Sequence, residues 1–312
     1  MLDQFPAVLR MMLNLRIRIN ILLQAIRLFL SVCLFRVSRL AQRQKNFFEG
    51  LLPEGFARKC VANWIHTSED DYLTILSVLG SECLGALRVS DNIHDSGDYK
   101  PLSIESVKAL AKEGVSKSTE LITEAHLSLT GASGKVGLYY DPERNMWYQP
   151  QGDAPSTHIV KQSHVRLSDI VTNEQLSLTA ASKLGISIPE SFIINTGAAR
   201  DDEILFATKR YDCVIPKNAA YINGLIRPFR LHQEDFAQAL GIPAYEKYEN
   251  GNKQYLLKAF QLLRNNVADP LTDQLKLWDM LIYDYLNCII GCIRWRMKRK
   301  RYMCLSRIRT LL

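Results

Sequence analysis

Thr157-His158-Ile159-Val160-Lys161 reads as a strand that ends on a lysine. Helical spacing follows over residues 169–184, stopped by Gly185 with Pro189 beyond. Upstream the texture is β-rich. Strands at 126–129 and 136–140 flank the small-residue turn 130–134, and Asp141-Pro142-Glu143-Arg144-Asn145 turns the chain into a third strand at 146–149. Downstream, 192–195 and 204–208 read as a hairpin pair across the polar loop 197–203. From Gln233 onward helices dominate: 234–240 before Gly241, 255–263, and 271 to at least 286. In the last of these Leu271, Leu275, Trp278, Ile282 and Tyr285 share a face, and Leu277 and Leu281 widen it, which predicts a buried helix. Nearer the start, Ser68 precedes Asp71 by three and predicts a capped helix with Tyr72, Ile75, Leu76 and Leu79 on one face and Gly80 at its end. Residues 85–89 read as a short strand and 103–112 as a further helix. A β-rich half feeding an α-rich half is an α+β chain, with ligands expected in the crevice between the two.

Composition narrows the classes. The 312 residues suffice for about two domains, and 47% apolar with 23% charged residues excludes wholesale disorder. Seven cysteines, an odd number with no CxxC pair, exclude a disulfide framework and a zinc ribbon, so the expected compartment is the reducing cytoplasm. The net charge of +7 is unevenly placed. Residues 1–45 hold eight Lys/Arg and one acid, and 288–312 hold eight Lys/Arg and no acid, so the stretch between carries a net −8. An acidic body argues against direct binding of nucleic acid or membrane, and neither is expected. The apolar run 19–35 has Arg27 near its centre, where arginine costs about 2.5–3.5 kcal/mol in a membrane, so residues 1–45 read as an extension. The tail, with Trp295 and Tyr302 among its cations, reads as a solvated basic extension, the alternative being phosphate contact plus base stacking.

Three groups of residues could carry chemistry. Gly131-Ala132-Ser133-Gly134-Lys135 lets backbone N–H groups approach a phosphate and adds a point charge. It departs from the Walker A pattern, with Leu129 and Val136 at two required positions, and precedes a strand, so it is either a kinase-type loop over phosphates or an ordinary tight hairpin. Lys161 with Glu174 in the next helix is either the kinase lysine–glutamate pair or solvated surface. Arg210-Tyr211-Asp212 ends a strand, and Arg230 to Asp235 opens a helix as a functional loop or an acidic first turn. The six histidines are scattered without ligand spacing, so no metal site of protein ligands is expected.

Asn46-Phe47-Phe48-Glu49-Gly50-Leu51-Leu52-Pro53-Glu54-Gly55 resembles the FF..LLPEG segment of HipA-type toxin kinases. In order along the chain, Ser128 to Lys135 resembles their phosphate loop, Ser156 to Lys161 their THIxK strand, Asn173-Glu174 their NE, and Lys209-Arg210-Tyr211-Asp212 their xRFD. His232 to Gly241 with Lys247-Tyr248-Glu249 resembles HQEDfxQalG…KYE. The resemblance spans about 46–287. It implies a two-lobed α+β kinase fold, with a β-rich nucleotide lobe followed by an all-α lobe that is incomplete here. The implied parts are a basic, apolar extension at 1–45, an N-terminal subdomain at 46–120, a nucleotide lobe at 121–212, helical residues at 213–287 and a basic tail at 288–312. It also implies a serine/threonine kinase of a toxin–antitoxin module, which passes the γ-phosphoryl of ATP with Mg²⁺ to a protein of the translation machinery and is held by a HipB-like DNA-binding antitoxin. Nucleotide contacts would come from Gly131, Ala132, Ser133, Gly134, Lys135, Lys161 and Glu174, with Thr208, Lys209, Arg210 and Tyr211 at the adenine hinge. Ser128 would be the regulatory autophosphorylation site.

The sequence departs from the family after the helix that ends near Leu286. The family continues with a GNxDxHxKN catalytic loop and a Mg²⁺-binding Asp, whereas here no Asp, Glu or His occurs after Asp284. No catalytic or metal-binding residue can be assigned, and a catalytically deficient chain is the expectation. The abrupt charge change at both ends has the character of sequence read out of frame with the core, which translation of the encoding DNA in the other two frames would test.

Overall fold

In a computed structural model, the described residues are 37–89, 97–113, 121, 135–163, 169–197, 200–247, 254–287, 292–298 and 301–307. The frame is a six-stranded antiparallel sheet of β1 (Asp98–Pro101), β2 (Lys135–Asp141), β3 (Met146–Gln151), β4 (His158–Gln162), β5 (Ser191–Asn195) and β6 (Ile204–Lys209), in the order β1-β3-β2-β4-β6-β5.

Register decides what each face does, because partners across a ladder share a face and neighbours along a strand alternate. Val136, Leu138, Trp147, Val160, Leu205 and Ala207 lie on one face. They join the largest core with α1 (Val37–Glu49), α2 (Gly55–Trp64), α3 (Tyr72–Leu79) and α4 (Ile104–Glu113), through Phe47, Val61, Ile75, Leu79 and Leu110. The opposite face carries two smaller clusters. Tyr99, Tyr139 and Tyr148 pack with Leu225 at one side of the sheet, and Phe206 packs with Val171, Leu178 and Ala181 of α5 (Ile170–Lys183) at the other. Between them in strand order stand Lys135 and Lys161.

Beyond β6 the chain makes short pairings, β7 (Cys213–Val214) with β10 (Phe229–Arg230) and β8 (Ala220–Ile222) with β9 (Leu225–Arg227). β11 (Gln233–Asp235) leads directly into α6 (Phe236–Leu240). The expected helix at 234–240 therefore starts two residues later: Asp235 is its cap, accepting from the Gln238 backbone while the Gln238 side chain reaches back, a full capping box. α7 (Tyr255–Asn266) and α8 (Pro270–Leu286) pair through Ala259, Leu263, Leu277 and Met280. The backbone of β12 (Cys292–Lys298) adds to β11, and that of β13 (Arg301–Arg307) pairs with β12.

Three further expectations need correction. Asp71, not Ser68, caps α3, its side chain accepting from the Thr74 backbone. Residues 85–89 form no strand. Gly85 adopts a φ of +77°, a Cβ there would meet the Gln233 backbone nitrogen at 2.7 Å, and its own N–H donates to Asp212. α8 is one-sided: Asp273, Leu277, Met280, Tyr283 and Asp284 are buried, whereas Leu271, Leu275, Trp278, Ile282 and Tyr285 are exposed, Tyr285 at 84%. The spacing found an apolar stripe, but the packed face is the neighbouring one. The readings at 126–129 and 130–134 lie outside the described residues.

Candidate functional site

Lys161 is the last residue but one of β4, and the ladder sets it directly opposite Lys135 of β2. Both lysines are buried, at 3% and 2% exposure. An ammonium group is held in such a place only with compensation. For Lys161 that comes from Glu174 on the first turns of α5, in an ion pair buried on both sides, and from the Phe206 ring, whose centroid lies 5.3 Å from Nζ. Glu174 reaches the sheet because α5 packs Val171 and Leu178, at helical spacing from it, against Phe206. Thr208 shares this face of the sheet by register; it is buried, and its Oγ1 has no hydrogen-bond partner among the described residues.

The structure thus brings Lys135, Lys161, Glu174 and Thr208 to one side of one sheet. It places the other expected residues elsewhere. Lys209 falls on the opposite face, where it pairs with Glu190 at 3.0 Å in solvent. Tyr211 is half-buried past the end of β6. Ser128, Gly131, Ala132, Ser133 and Gly134 lie outside the described residues.

Arg210 is committed to a buried ionic network. Its guanidinium lies 3.1 Å from Asp212 and 3.4 Å from Glu82, and donates to the Ser156 hydroxyl. Arg230 joins from the other side, 2.9 Å from Asp212 and 3.7 Å from Glu82, and Gln233 donates to Asp212. Burial pushes the Glu82 carboxyl up while Arg210 and Ser156 pull it down. Burial also works against the Arg210 charge, but Asp212 and Glu82 prevail and hold it well above its usual range. A second network repeats the pattern: Lys247, 4% exposed at its side chain, bridges Glu54 at 2.9 Å and Asp235 at 2.8 Å. Residues of the LLPEG, RYD and HQED segments, together with Lys247, therefore meet in two buried ionic knots. Glu82 was the member that sequence reading missed, since nothing in its neighbourhood signals a partner 128 residues away.

The helical half contributes one perturbed acid. Asp284 on α8 is buried, its Oδ1 has no hydrogen-bond partner among the described residues, and burial pushes its carboxyl up to about 7. An unfolded Asp titrates near ~3.9, so the unfolded chain releases this proton first and stability falls as pH climbs from about 4 to 7. Asp284→Asn is expected to raise stability by about 1–2 kcal/mol at pH 8, after allowance for solvent screening, and to leave it unchanged at pH 4. Urea midpoints at the two pH values check this.

Comparison with known proteins gives the family and the fold. Residues 127–289 match the HipA-like C-terminal domain, and residues 25–90 match the HipA N-terminal domain. The chain belongs to the HipA family. A Sinorhizobium fredii protein named "Putative kinase Y4mE" is 29% identical over 257 residues, covering 79% of this chain and 57% of that protein. "Putative kinase Y4dM" of the same organism is 26% identical over 215 residues, covering 66% of this chain and 47% of its own length. Among solved structures, HipA of Shewanella oneidensis MR-1, in a complex with HipB and operator DNA, superposes with a TM-score of 0.66 at 19% identity, over 86% of this chain and 64% of that one. The fold is thus the HipA-like α+β fold, and the chain spans roughly half to two thirds of the length of these relatives. Among the described residues no helix is long and apolar enough to cross a membrane.

Proposed function

We propose that the sheet face bearing Lys135 and Lys161 binds ATP, and that the 312-residue chain holds the nucleotide without passing on its γ-phosphoryl group. The observation that carries the first part is the buried Lys161–Glu174 pair set across the β2–β4 ladder from Lys135. Two ammonium groups on one face suit a polyphosphate, and a glutamate on the following helix is how kinase-type sites fix the phosphate lysine. The buried hydroxyl of Thr208 on the same face suits contact with the base. Ser128 and Gly131–Gly134 keep the loop role that the resemblance gives them.

The second part rests on donor chemistry. Magnesium requires oxygen ligands, and transfer requires a carboxylate to orient the accepting hydroxyl. Residues 288–312 contain no Asp, Glu or His, and among the described residues no group of three or more His, Cys, Asp or Glu could hold a metal ion. On this donor chemistry no Mg²⁺ ligand is proposed among the described residues. In relatives that possess those acids, the same face would position ATP for a serine or threonine of a translation protein. A HipB-like antitoxin is the proposed protein partner, by analogy with the Shewanella HipA, which is in complex with HipB. Incubating the purified chain with γ-labelled ATP, Mg²⁺ and translation proteins should label neither the chain nor the proteins, while ATP raises the melting temperature. Strong metal-dependent labelling would overturn the proposal.

A further inference from the structure

α8 carries an apolar stripe that the fold leaves open. Leu271, Leu275, Trp278, Ile282 and Tyr285 recur at alternating steps of four and three, the spacing of a coiled-coil seam. All five are exposed, from 43% at Ile282 to 84% at Tyr285, as is Leu286 beside them. The backbone of β13 runs close to α8, yet these side chains stay in solvent. Trp278 touches Phe260 of α7, ring centroids 6.0 Å apart, and Leu256, one helical turn before Phe260, is exposed as well. At about 200 Å² for a fully open large side chain, the six residues of α8 present roughly 700 Å² of apolar surface. A monomer rarely leaves so large a patch uncovered.

We propose that this stripe is the interface of a homodimer, in which α8 of one copy lies antiparallel on α8 of a second copy. The occupant follows from the order of the residues. Turned end for end about Trp278, the stripe matches itself to within about one residue step, ~1.5 Å of helix. Trp278 then meets its own copy on the two-fold axis. Leu275 comes opposite Ile282 of the partner subunit, and Leu271 opposite Tyr285 of the partner subunit. A two-fold interface requires this self-complementarity, since one patch must serve both sides. The area agrees: a standard interface takes about 800 Å² from each partner, and the stripe with Leu256 supplies nearly that. An anionic bilayer fits less well. Interfacial helices carry cations on their polar face, whereas α8 has Lys276 alone against Asp273, Asp279 and Asp284. Association also buries the stripe that the helical spacing marks for burial.

The test is sedimentation velocity of the full chain from about 1 to 100 µM. The mass should rise with concentration from 35.6 kDa to twice that value and no further, because a two-fold contact closes at two copies. Leu275→Glu with Ile282→Glu sets like charges opposite each other and should weaken the dimer at least ~100-fold. Leu275→Lys with Ile282→Lys should do the same. An equal mixture of the two double variants should dimerise again, since each glutamate then faces a lysine. Ile104→Glu, at an exposed position of α4, should leave the dimer intact. A chain that stays monomeric throughout, or that grows into open-ended aggregates, would overturn the proposal. So would a dimer that survives both double variants, or double variants that fail to pair when mixed. A monomer that binds phosphatidylserine vesicles through Leu275 and Ile282 would overturn it too, and would assign the stripe to a membrane surface.

Discussion

Arg210→Met should cost the chain about 3 kcal/mol of stability, seen as a lower urea midpoint with an unchanged slope. The guanidinium is 1% exposed and serves Glu82, Asp212 and Ser156 at once, so its loss leaves acidic groups buried with their compensation reduced. Breaking a buried pair from one side usually costs about 3–5 kcal/mol. Arg230 sets the value at the low end, since it stays 2.9 Å from Asp212 and 3.7 Å from Glu82. Adding Glu82→Gln to Arg210→Met should recover part of the loss, because one uncompensated carboxylate is then gone and the two sites are coupled. A single-variant loss below about 1 kcal/mol would mean that the knot does not hold the fold.

Lys161→Met should abolish stabilisation by ATP. At a hundred times its dissociation constant, a ligand that binds only the folded state contributes about 2.7 kcal/mol, or roughly 4–8 °C in melting temperature for a chain of this size. The variant also strands Glu174, 6% exposed, and lowers the melting temperature without nucleotide. The decisive quantity is therefore the difference with and without ATP, measured separately for each protein. Glu174→Gln removes the orienting charge but keeps the lysine, so it should retain part of the ATP effect. A Lys161→Met chain that still gains the full shift would place the nucleotide elsewhere.

Much of the fold was legible because its signals are local. The strand ending on Lys161, the helix carrying Glu174 and the 192–208 hairpin each announce themselves by β-branched residues, helical spacing or turn chemistry. The facing of Lys135 and Lys161 was half legible: both lysines stand out, but their opposition depends on a ladder register that joins residues 26 apart. Arg210 shows where local reading stops. Its motif marks it for notice, yet whether it meets a nucleotide or a buried acid is decided by Glu82, far upstream. Lys209 was separable from Thr208 by strand alternation alone, which puts consecutive residues on opposite faces. At α8 the sequence offers two overlapping apolar stripes, and only the position of α7 selects Leu277 and Met280 for burial.

The Glu54–Lys247–Asp235 bridge and the Glu82–Arg210 contact both join a residue of the first ninety to one beyond position 209. The amino-terminal helices are consequently no detachable appendage. Excising them would strip countercharges from the interior of the remainder, so an expression fragment that begins at the sheet would inherit naked ions where the intact polypeptide has matched ones.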